Sequence, residues 1–277
     1  LEKTEVWKGG KLQTKTIYDD RLGEGYEIAN YSYTYYLGGT QDLKNTTYYY
    51  YDTGDMNPAN AGRAADTDVT VDSALMISET YKGDHETYPT TTKLQSRTYY
   101  AIQWGKGEEI ADYTNTYNFD LTIRTHTKYY YFIDTDNRFV EAGSADLDAY
   151  MTRTIVRRDS DSGDLKQIAF YKGWRKGEEL INWSYEYSGD GLTRKTITTY
   201  DYDITTGKTD CLREVKVYRD RSLYTDSQAT AYTRPSPSVT KRKSRTIYRG
   251  DFKGEEIVDY AYNYQSDGLI YYSTTIN

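Results

Sequence analysis

The stretch FKGEEIVDYAYNY, residues 252–264, decides the fold because its pattern returns three times earlier in the chain. The matching stretches are RKGEELINWSYEY (175–187), GKGEEIADYTNTY (105–117) and a looser copy, GEGYEIANYSYTY (23–35). The copies lie about 70 to 80 residues apart, and a fixed period of this kind is typical of a repeat protein.

Each copy alternates large aromatic residues with small or polar ones after its glutamates. Alternation by two places one set of side chains on one face of a β-strand, whereas a helix would scatter them around its circumference. We predict an aromatic face toward the core and an opposite face, with Asn30, Ser32 and Thr34, toward solvent. The aromatic set is Tyr31, Tyr33, Tyr35, Tyr113, Tyr117, Trp183, Tyr185, Tyr187, Tyr260, Tyr262 and Tyr264.

Further strand-like blocks flank each copy and complete a repeat. A block with Lys or Arg precedes it, a Thr- and Tyr-rich block follows, and three repeats add a fourth block; glycines between the blocks are typical of hairpin turns. We predict an all-β fold, a tandem repeat of four four-stranded antiparallel meanders in an elongated, solenoid-like array; a four-bladed closed propeller is the alternative. The predicted ranges are an orphan strand (1–10), repeats at 11–84, 93–159 and 164–220, a Pro/Ser/Thr loop (221–240) and a last repeat at 241–277.

The two ends of the sequence complement each other. The segment KTEVWKGGK (3–11) matches the fourth block of a repeat, with Trp7 in the place of Tyr81, whereas the last repeat stops after its third block. The first segment could therefore close a ring within one chain or complete the sheet of another copy. A third alternative is that the sequence is a piece cut from a longer array of the same repeats. For the second case we predict contacts by Thr4, Val6, Trp7, Ile270, Tyr272 and Thr274.

Composition and charge narrow the class of protein. The chain of 277 residues has 34 tyrosines, one cysteine and a formal charge of −7, and these values predict a tyrosine-rich core, no disulfide framework and no nucleic-acid partner. No apolar run approaches the length of a membrane span. No nucleophilic triad, phosphate loop or dinucleotide motif is present, so we expect no enzymatic activity.

Two acidic patterns suggest specific roles, one in calcium binding and one in pairing between strands. Asp159, Asp161 and Asp164 alternate around a glycine like the start of a calcium loop, but the downstream glutamate of such a loop is absent and a plain polar turn is the favoured interpretation. Calcium is the only cofactor that the sequence suggests. The paired acids such as Glu108 and Glu109 recur in three repeats and would point to opposite faces of a strand, so we predict cross-strand pairing with Lys and Arg of the preceding block.

Some stretches resemble known repeat families. YFIDTDNRF (131–139), YDITTGK (202–208) and YDTG (51–54) resemble the tyrosine–aspartate (YD, or Rhs-type) repeats of bacterial surface proteins. YKGWRKGEEL (171–180) and YRGDFKGEEI (248–257) are similar to MORN-type hairpins. The first resemblance implies a spiralling antiparallel sheet outside the cell, with a structural or encapsulating role.

These observations favour an extracellular or cell-surface structural subunit that assembles head to tail by β-strand complementation, with itself as partner. A carbohydrate-binding repeat module that recognises cell-surface glycans is the alternative, because exposed aromatic rings stack on sugars. It predicts that some of Trp7, Trp104, Trp174 and Trp183 face solvent.

Overall fold

The computed structural model describes residues 1–36, 42–83, 93–133, 138–173, 175–205, 210–225 and 232–276. These residues form β-strands and turns, with short 3₁₀ turns at Pro58–Asn60, Ala142–Ser144 and Val239–Lys241 and no α-helix. Within the same residues, no helix has the length and apolar character that crossing a membrane requires.

The strands follow the order of the predicted blocks. The leading strand is β1 (Lys3–Lys8). The first repeat contains β2 (Lys11–Asp19), β3 (Ile28–Tyr35), β4 (Leu43–Tyr51), β5 (Gly62–Arg63) and β6 (Leu75–Lys82). The second contains β7 (Leu94–Ala101), β8 (Ile110–Tyr117), β9 (Ile123–Ile133), β10 (Arg138–Glu141) and β11 (Tyr150–Arg158). The third contains β12 (Leu165–Lys172), β13 (Leu180–Tyr187), β14 (Arg194–Tyr202) and β15 (Leu212–Arg219), and the fourth β16 (Arg242–Arg249), β17 (Ile257–Tyr264) and β18 (Tyr271–Ile276).

The strands belong to one antiparallel sheet in which chain neighbours pair. The exceptions are the short strands β5 and β10: β4 pairs with β6 as well as with β5, and β9 pairs with β11 as well as with β10. Pairing also crosses the repeat boundaries, since β6 is bonded to β7 and β15 to β16. The predicted tandem of antiparallel meanders is thus confirmed. The propeller alternative is wrong, because successive blades of a propeller are separate sheets.

The chain forms two compact units, each with its own core. The first comprises Leu1–Tyr129, Val140–Leu147 and Asp159–Asp161; the second comprises Tyr130–Phe139, Asp148–Arg158 and Ser162–Asn277. Each unit therefore contains strands of more than one repeat, and the four repeat ranges remain a prediction.

In the first unit, both faces of the sheet carry buried residues. One cluster contains Tyr48, Tyr81 and Leu94, on the face of the predicted aromatic row. The other contains Tyr51 and Val69, on the opposite face. The second cluster exists because residues 62–75 return over the sheet after β4.

This two-sided burial corrects one expectation. Ser32, predicted to face solvent, is only 6% exposed. Its hydroxyl lies 2.9 Å from the hydroxyl of Tyr49, which shares its face of the sheet. A similar pair joins Thr114 and Tyr129 at 3.1 Å. Tyrosine can bury its ring on either face because the hydroxyl at its tip finds a partner there.

In the second unit, an aromatic cluster forms a large part of the core among the described residues. It contains Phe170, Trp183, Tyr185, Tyr187 and Ile197, among others. The rings of Phe170 and Trp183 stack with centroids 4.6 Å apart. The expected tyrosine-rich core is therefore found, with a tryptophan at its centre.

Candidate assembly edges and glutamate clamps

The second glutamate of each KGEE segment ties two parts of the sheet together. The carboxylate of Glu109 accepts one hydrogen bond from the backbone N–H of Leu75 (2.8 Å) and another from that of Gly107 (2.9 Å). Leu75 begins the fourth strand of the preceding repeat, and Gly107 lies in the turn before β8. Glu179 binds the N–H of Met151 in the same way at 2.9 Å.

Glu256 repeats the arrangement in the last repeat. It accepts hydrogen bonds from the N–H groups of Leu212 (2.9 Å) and Gly254 (2.7 Å). Partial burial opposes ionisation of this carboxyl, but the backbone hydrogen bonds outweigh it and lower its pKa. We call Glu109, Glu179 and Glu256 the glutamate clamps.

The looser first copy keeps the same residue in the same role. Glu27 accepts the N–H of Gly25 at 3.1 Å and contacts the amino group of Leu1. The hydrogen bond from Leu1 lowers the pKa of Glu27. Leu1 precedes β1 as Leu75 begins β6, so the leading strand is held as a fourth strand is held.

The clamps correct the predicted role of the paired acids. We expected ion pairs with Lys and Arg of the neighbouring strand, but the second acid of each pair accepts backbone N–H groups. One ion pair between neighbouring strands joins Glu79 on β6 and Arg97 on β7. The recurrence of the second glutamate was the sequence signal. Its backbone partners could not be read from side-chain patterns.

The leading strand β1 has the register of a fourth strand. It pairs with β2 so that Trp7 lies opposite Leu12, as Tyr81 on β6 lies opposite Leu94 on β7. The register shifts immediately before Trp7 and immediately before Tyr81, a β-bulge at the same place in both pairings. The predicted match between residues 3–11 and the fourth blocks therefore extends to the register.

One edge of β1 has no strand beside it among the described residues, since its pairing there is with β2 alone. Val6 and Trp7 are 55% and 52% exposed. Tyr81, at the position equivalent to Trp7, is 3% exposed because β4 covers the other side of its strand. The side chain of Thr4 lies on the face of the sheet opposite that of Trp7, with its hydroxyl 3.2 Å from that of Tyr18.

The last strand β18 has the register of a third strand. It pairs with β17 so that Thr274 lies opposite Tyr262, and within the described residues it has no other partner. Tyr271, Tyr272 and the preceding Ile270 are exposed. Ile270 lies just outside the strand, where its N–H bonds to the carboxylate of Asp267 at 3.2 Å.

The predicted aromatic residues form rows along their strands. Ring centroids of Tyr31 and Tyr33 lie 5.3 Å apart, and those of Tyr260 and Tyr262 lie 5.2 Å apart. These four rings are half-buried.

In the second repeat, Tyr113 stacks on Tyr99 at 4.4 Å and on His126 at 5.2 Å, and Tyr117 is half-buried.

Only the row of the third repeat is buried throughout. Trp183, Tyr185 and Tyr187 lie in the core of the second unit, and loop residues cover them. The ring centroid of Tyr232 lies 5.4 Å from that of Trp183, and the ring centroid of Tyr224 lies 5.9 Å from that of Tyr187. Tyr224 and Tyr232, both in the segment predicted as a Pro/Ser/Thr loop (221–240), thus pack against this core.

The tryptophans differ in exposure. Trp7 and Trp104 are about half exposed, Trp183 is 1% exposed, and Trp174 lies outside the described residues. The indole nitrogen of Trp104 donates a hydrogen bond to the carbonyl of Ala145 at 2.9 Å, which fixes its ring.

The acids predicted as calcium ligands lie in a hairpin turn, and the calcium site stays a prediction. Residues 159–164 make the turn between β11 and β12, where the N–H of Arg158 bonds to the carbonyl of Asp164 at 2.8 Å. Among the described residues, no three Asp, Glu, His or Cys side chains are grouped so that they could hold a metal ion. Asp134 and Asp136, a weaker form of the same acidic pattern in the sequence, lie outside those residues.

Comparison with known proteins adds little to this geometry. No protein-family model matches the chain, so the YD-type and MORN-type resemblances remain predictions. The search of curated proteins also found no match. Among solved structures, the chain is similar to a porin-like protein from Bacteroides uniformis ATCC 8492, with 9% identity and a TM-score of 0.22, over 80% of this chain and 92% of that one. A likeness at this level carries no argument about fold or function.

Proposed function

We propose that the protein is a non-catalytic structural subunit of the cell surface or extracellular space that assembles head to tail by β-strand addition. The observation that carries the proposal is the pair of edges. β1 has the register of a fourth strand and β18 that of a third strand, and each has one partner among the described residues. A fourth strand follows a third strand inside the repeats, so the two edges are complementary.

Physical chemistry supports this use of the edges. Unpaired N–H and C=O groups along an edge strand are a template for another strand. The joined surfaces are different, and such a heterologous contact generates an open polymer when it does not close into a ring. Extracellular assemblies of this type use strand addition for affinity.

The magnitudes indicate a weak single junction. Each main-chain hydrogen bond contributes about 0.5–1.5 kcal/mol net, and burying the exposed half of an apolar side chain contributes about 1 kcal/mol. Two hydrogen-bonded residue pairs would give about four such bonds, and together with Val6 and Trp7 they would contribute about 4–8 kcal/mol. This sum reaches only the lower part of the association cost of about 4–15 kcal/mol. We expect assembly to depend steeply on protein concentration.

The test is a proline placed where it blocks the free edge alone. The N–H of Tyr18 bonds to the carbonyl of Glu2 at 3.0 Å, and hydrogen-bonded pairs alternate along an antiparallel ladder. Glu5, opposite Lys15, is therefore in a non-bonded pair with β2, and its N–H points to the free edge. Glu5→Pro removes this donor, and the control Glu5→Ala keeps it while losing the same carboxylate.

Light scattering across a concentration series and negative-stain microscopy give the readout. We expect filaments from the wild type and from Glu5→Ala, and none from Glu5→Pro or from a chain lacking residues 1–10. A wild-type chain that stays monomeric at every concentration would overturn the proposal. Filaments from Glu5→Pro equal to those from Glu5→Ala would also count against it.

A glycan-binding role is a second candidate because Trp104 presents a half-exposed ring held by its bond to Ala145. Rigid exposed aromatic rings are suited to stacking on sugars. A glycan array that compares the wild type with Trp104→Ala tests this role. Binding that is lost in the variant supports it, and no binding by the wild type rejects it.

A further inference from the structure

We infer that the junction has one defined register, in which Trp7 of one copy lies opposite Thr274 of a second copy. Val6 then lies opposite Thr275, and Lys8 opposite Ser273. This inference rests on the proposed head-to-tail assembly and specifies its partner as a second copy of this chain.

The first step places β18 among the third strands. On β4, Thr46 lies opposite Tyr33 of the second strand; on β14, Ile197 lies opposite Tyr185. On β18, Thr274 lies opposite Tyr262. All three pairings shift register before the last aromatic residue of the second strand, at Tyr35, Tyr187 and Tyr264. Thr274 is therefore the equivalent of Thr46 and Ile197.

The second step places β1 among the fourth strands. Trp7 lies opposite Leu12 after a register shift, as Tyr81 lies opposite Leu94 and Tyr218 lies opposite Arg242. All four fourth strands shift at this position, and the remaining example is Arg157 on β11. Trp7 is therefore the equivalent of Tyr81 and Tyr218.

The pairings of third with fourth strands inside the chain then specify the pairing of β18 with β1 of a second copy. Thr46 lies opposite Tyr81 where β4 meets β6, and Ile197 lies opposite Tyr218 where β14 meets β15. The two junctions use the same register although their loops and side chains differ. Replacing each residue by its equivalent puts Thr274 opposite Trp7.

The side chains agree with this register. Tyr81 and Tyr218, each in a fourth strand that is paired with a third strand, are 3% and 6% exposed. Trp7 is the large aromatic residue at the same position of β1, and it is half-exposed. At the next pair, the hydroxyls of Thr47 and Thr80 lie 3.0 Å apart, so these side chains meet on one face. Thr275 and Val6 occupy the equivalent places.

Alternation within the ladder identifies the best pair for a cross-link. The N–H of Gly83 bonds to the carbonyl of Lys44 at 2.9 Å, which makes their pair hydrogen-bonded. Counting along the ladder, Thr47 and Thr80 form a non-bonded pair, whose Cα atoms lie about 4.5 Å apart. The equivalent pair, Val6 and Thr275, is therefore close enough for a disulfide.

The experiment mixes two single-cysteine chains, so that only contacts between copies can give a disulfide. The native Cys211, which is free and buried, is first replaced by alanine. One chain carries Val6→Cys and the other Thr275→Cys; the register control replaces the second with Ser273→Cys, two residues away on the same face. Oxidised mixtures are analysed by non-reducing electrophoresis and peptide mass spectrometry, with light scattering of each mixture. A single chain with Thr47→Cys and Thr80→Cys serves as the positive control for the pair geometry.

We expect the Val6–Thr275 disulfide to form at least about tenfold more than the Val6–Ser273 disulfide, because a two-residue shift separates the Cβ atoms beyond disulfide reach. Mixtures that assemble but favour Ser273, or that form neither disulfide while the positive control does, would overturn the register and leave head-to-tail assembly standing. A lack of both assembly and disulfides would overturn the proposed function together with the register.

Discussion

Replacement of Glu256 by alanine tests the glutamate clamps directly. The carboxylate holds two backbone donors, the N–H groups of Leu212 and Gly254. Hydrogen bonds to charged groups contribute about 1.5–3 kcal/mol each, but Gly254 is exposed and water can replace that bond. Leu212 is half-buried, so water can replace the hydrogen bond to its N–H only in part. We expect Glu256→Ala to lower the free energy of unfolding by about 1–3 kcal/mol.

The adjacent Glu255 offers a matched control, because it is exposed in the same segment. Glu255→Ala removes the same charge, and exposed charges contribute about 0–1 kcal/mol. Urea unfolding followed by circular dichroism measures both variants, and hydrogen exchange at the N–H of Leu212 shows whether the local bond has opened. Equal stability of the two variants, with unchanged exchange at Leu212, would refute the clamp.

The clamp also has a pH signature. The folded state lowers the pKa of Glu256, so its carboxylate stays ionised where the same group in the unfolded chain takes up a proton. The stabilisation is therefore present above the unfolded pKa, near 4.5, and is lost as the pH falls through the folded pKa. The difference in free energy of unfolding between wild type and Glu256→Ala should shrink on acidification, and a difference that stays constant down to pH 3 would contradict the clamp.

Three further outcomes follow from burial and backbone geometry. Trp183→Ala should lower the free energy of unfolding by about 3–5 kcal/mol in urea denaturation, since the side chain is almost fully buried; a loss below about 1 kcal/mol would contradict its place in the core. Burial raises the pKa of Tyr113 and of Tyr232 to about 12. The stability that these two side chains contribute is therefore present below pH 10 and should be lost as the pH rises from 10 to 12. Tyrosinate absorbance that rises only near pH 10 would contradict this expectation. Gly191→Ala should cost more than Gly177→Ala in thermal unfolding, although both have positive φ, because only the first Cβ would meet backbone, at 2.6 Å; equal losses of about 1 kcal/mol would show that the chain relaxes.

The sequence by itself determined the strands and their order. Alternation by two in stretches such as 258–264 can be satisfied only by a strand with two different faces, and the spacing of the glycines sets where each hairpin turns. Both are local properties of the backbone. For this reason the predicted blocks and the observed strands agree closely, and even the match between residues 3–11 and a fourth strand was visible before the register was known.

Tertiary structure alone decided which faces are covered and what the recurring glutamates hold. Ser32 is buried because tyrosine from the neighbouring strand lies on its face of the sheet, and Trp183 is buried because Tyr232 returns from a distant loop. Glu109 binds a backbone N–H 34 residues earlier in the chain. Burial and backbone hydrogen bonding depend on segments that meet only after folding, and a local pattern of side chains carries no information about a partner that distant.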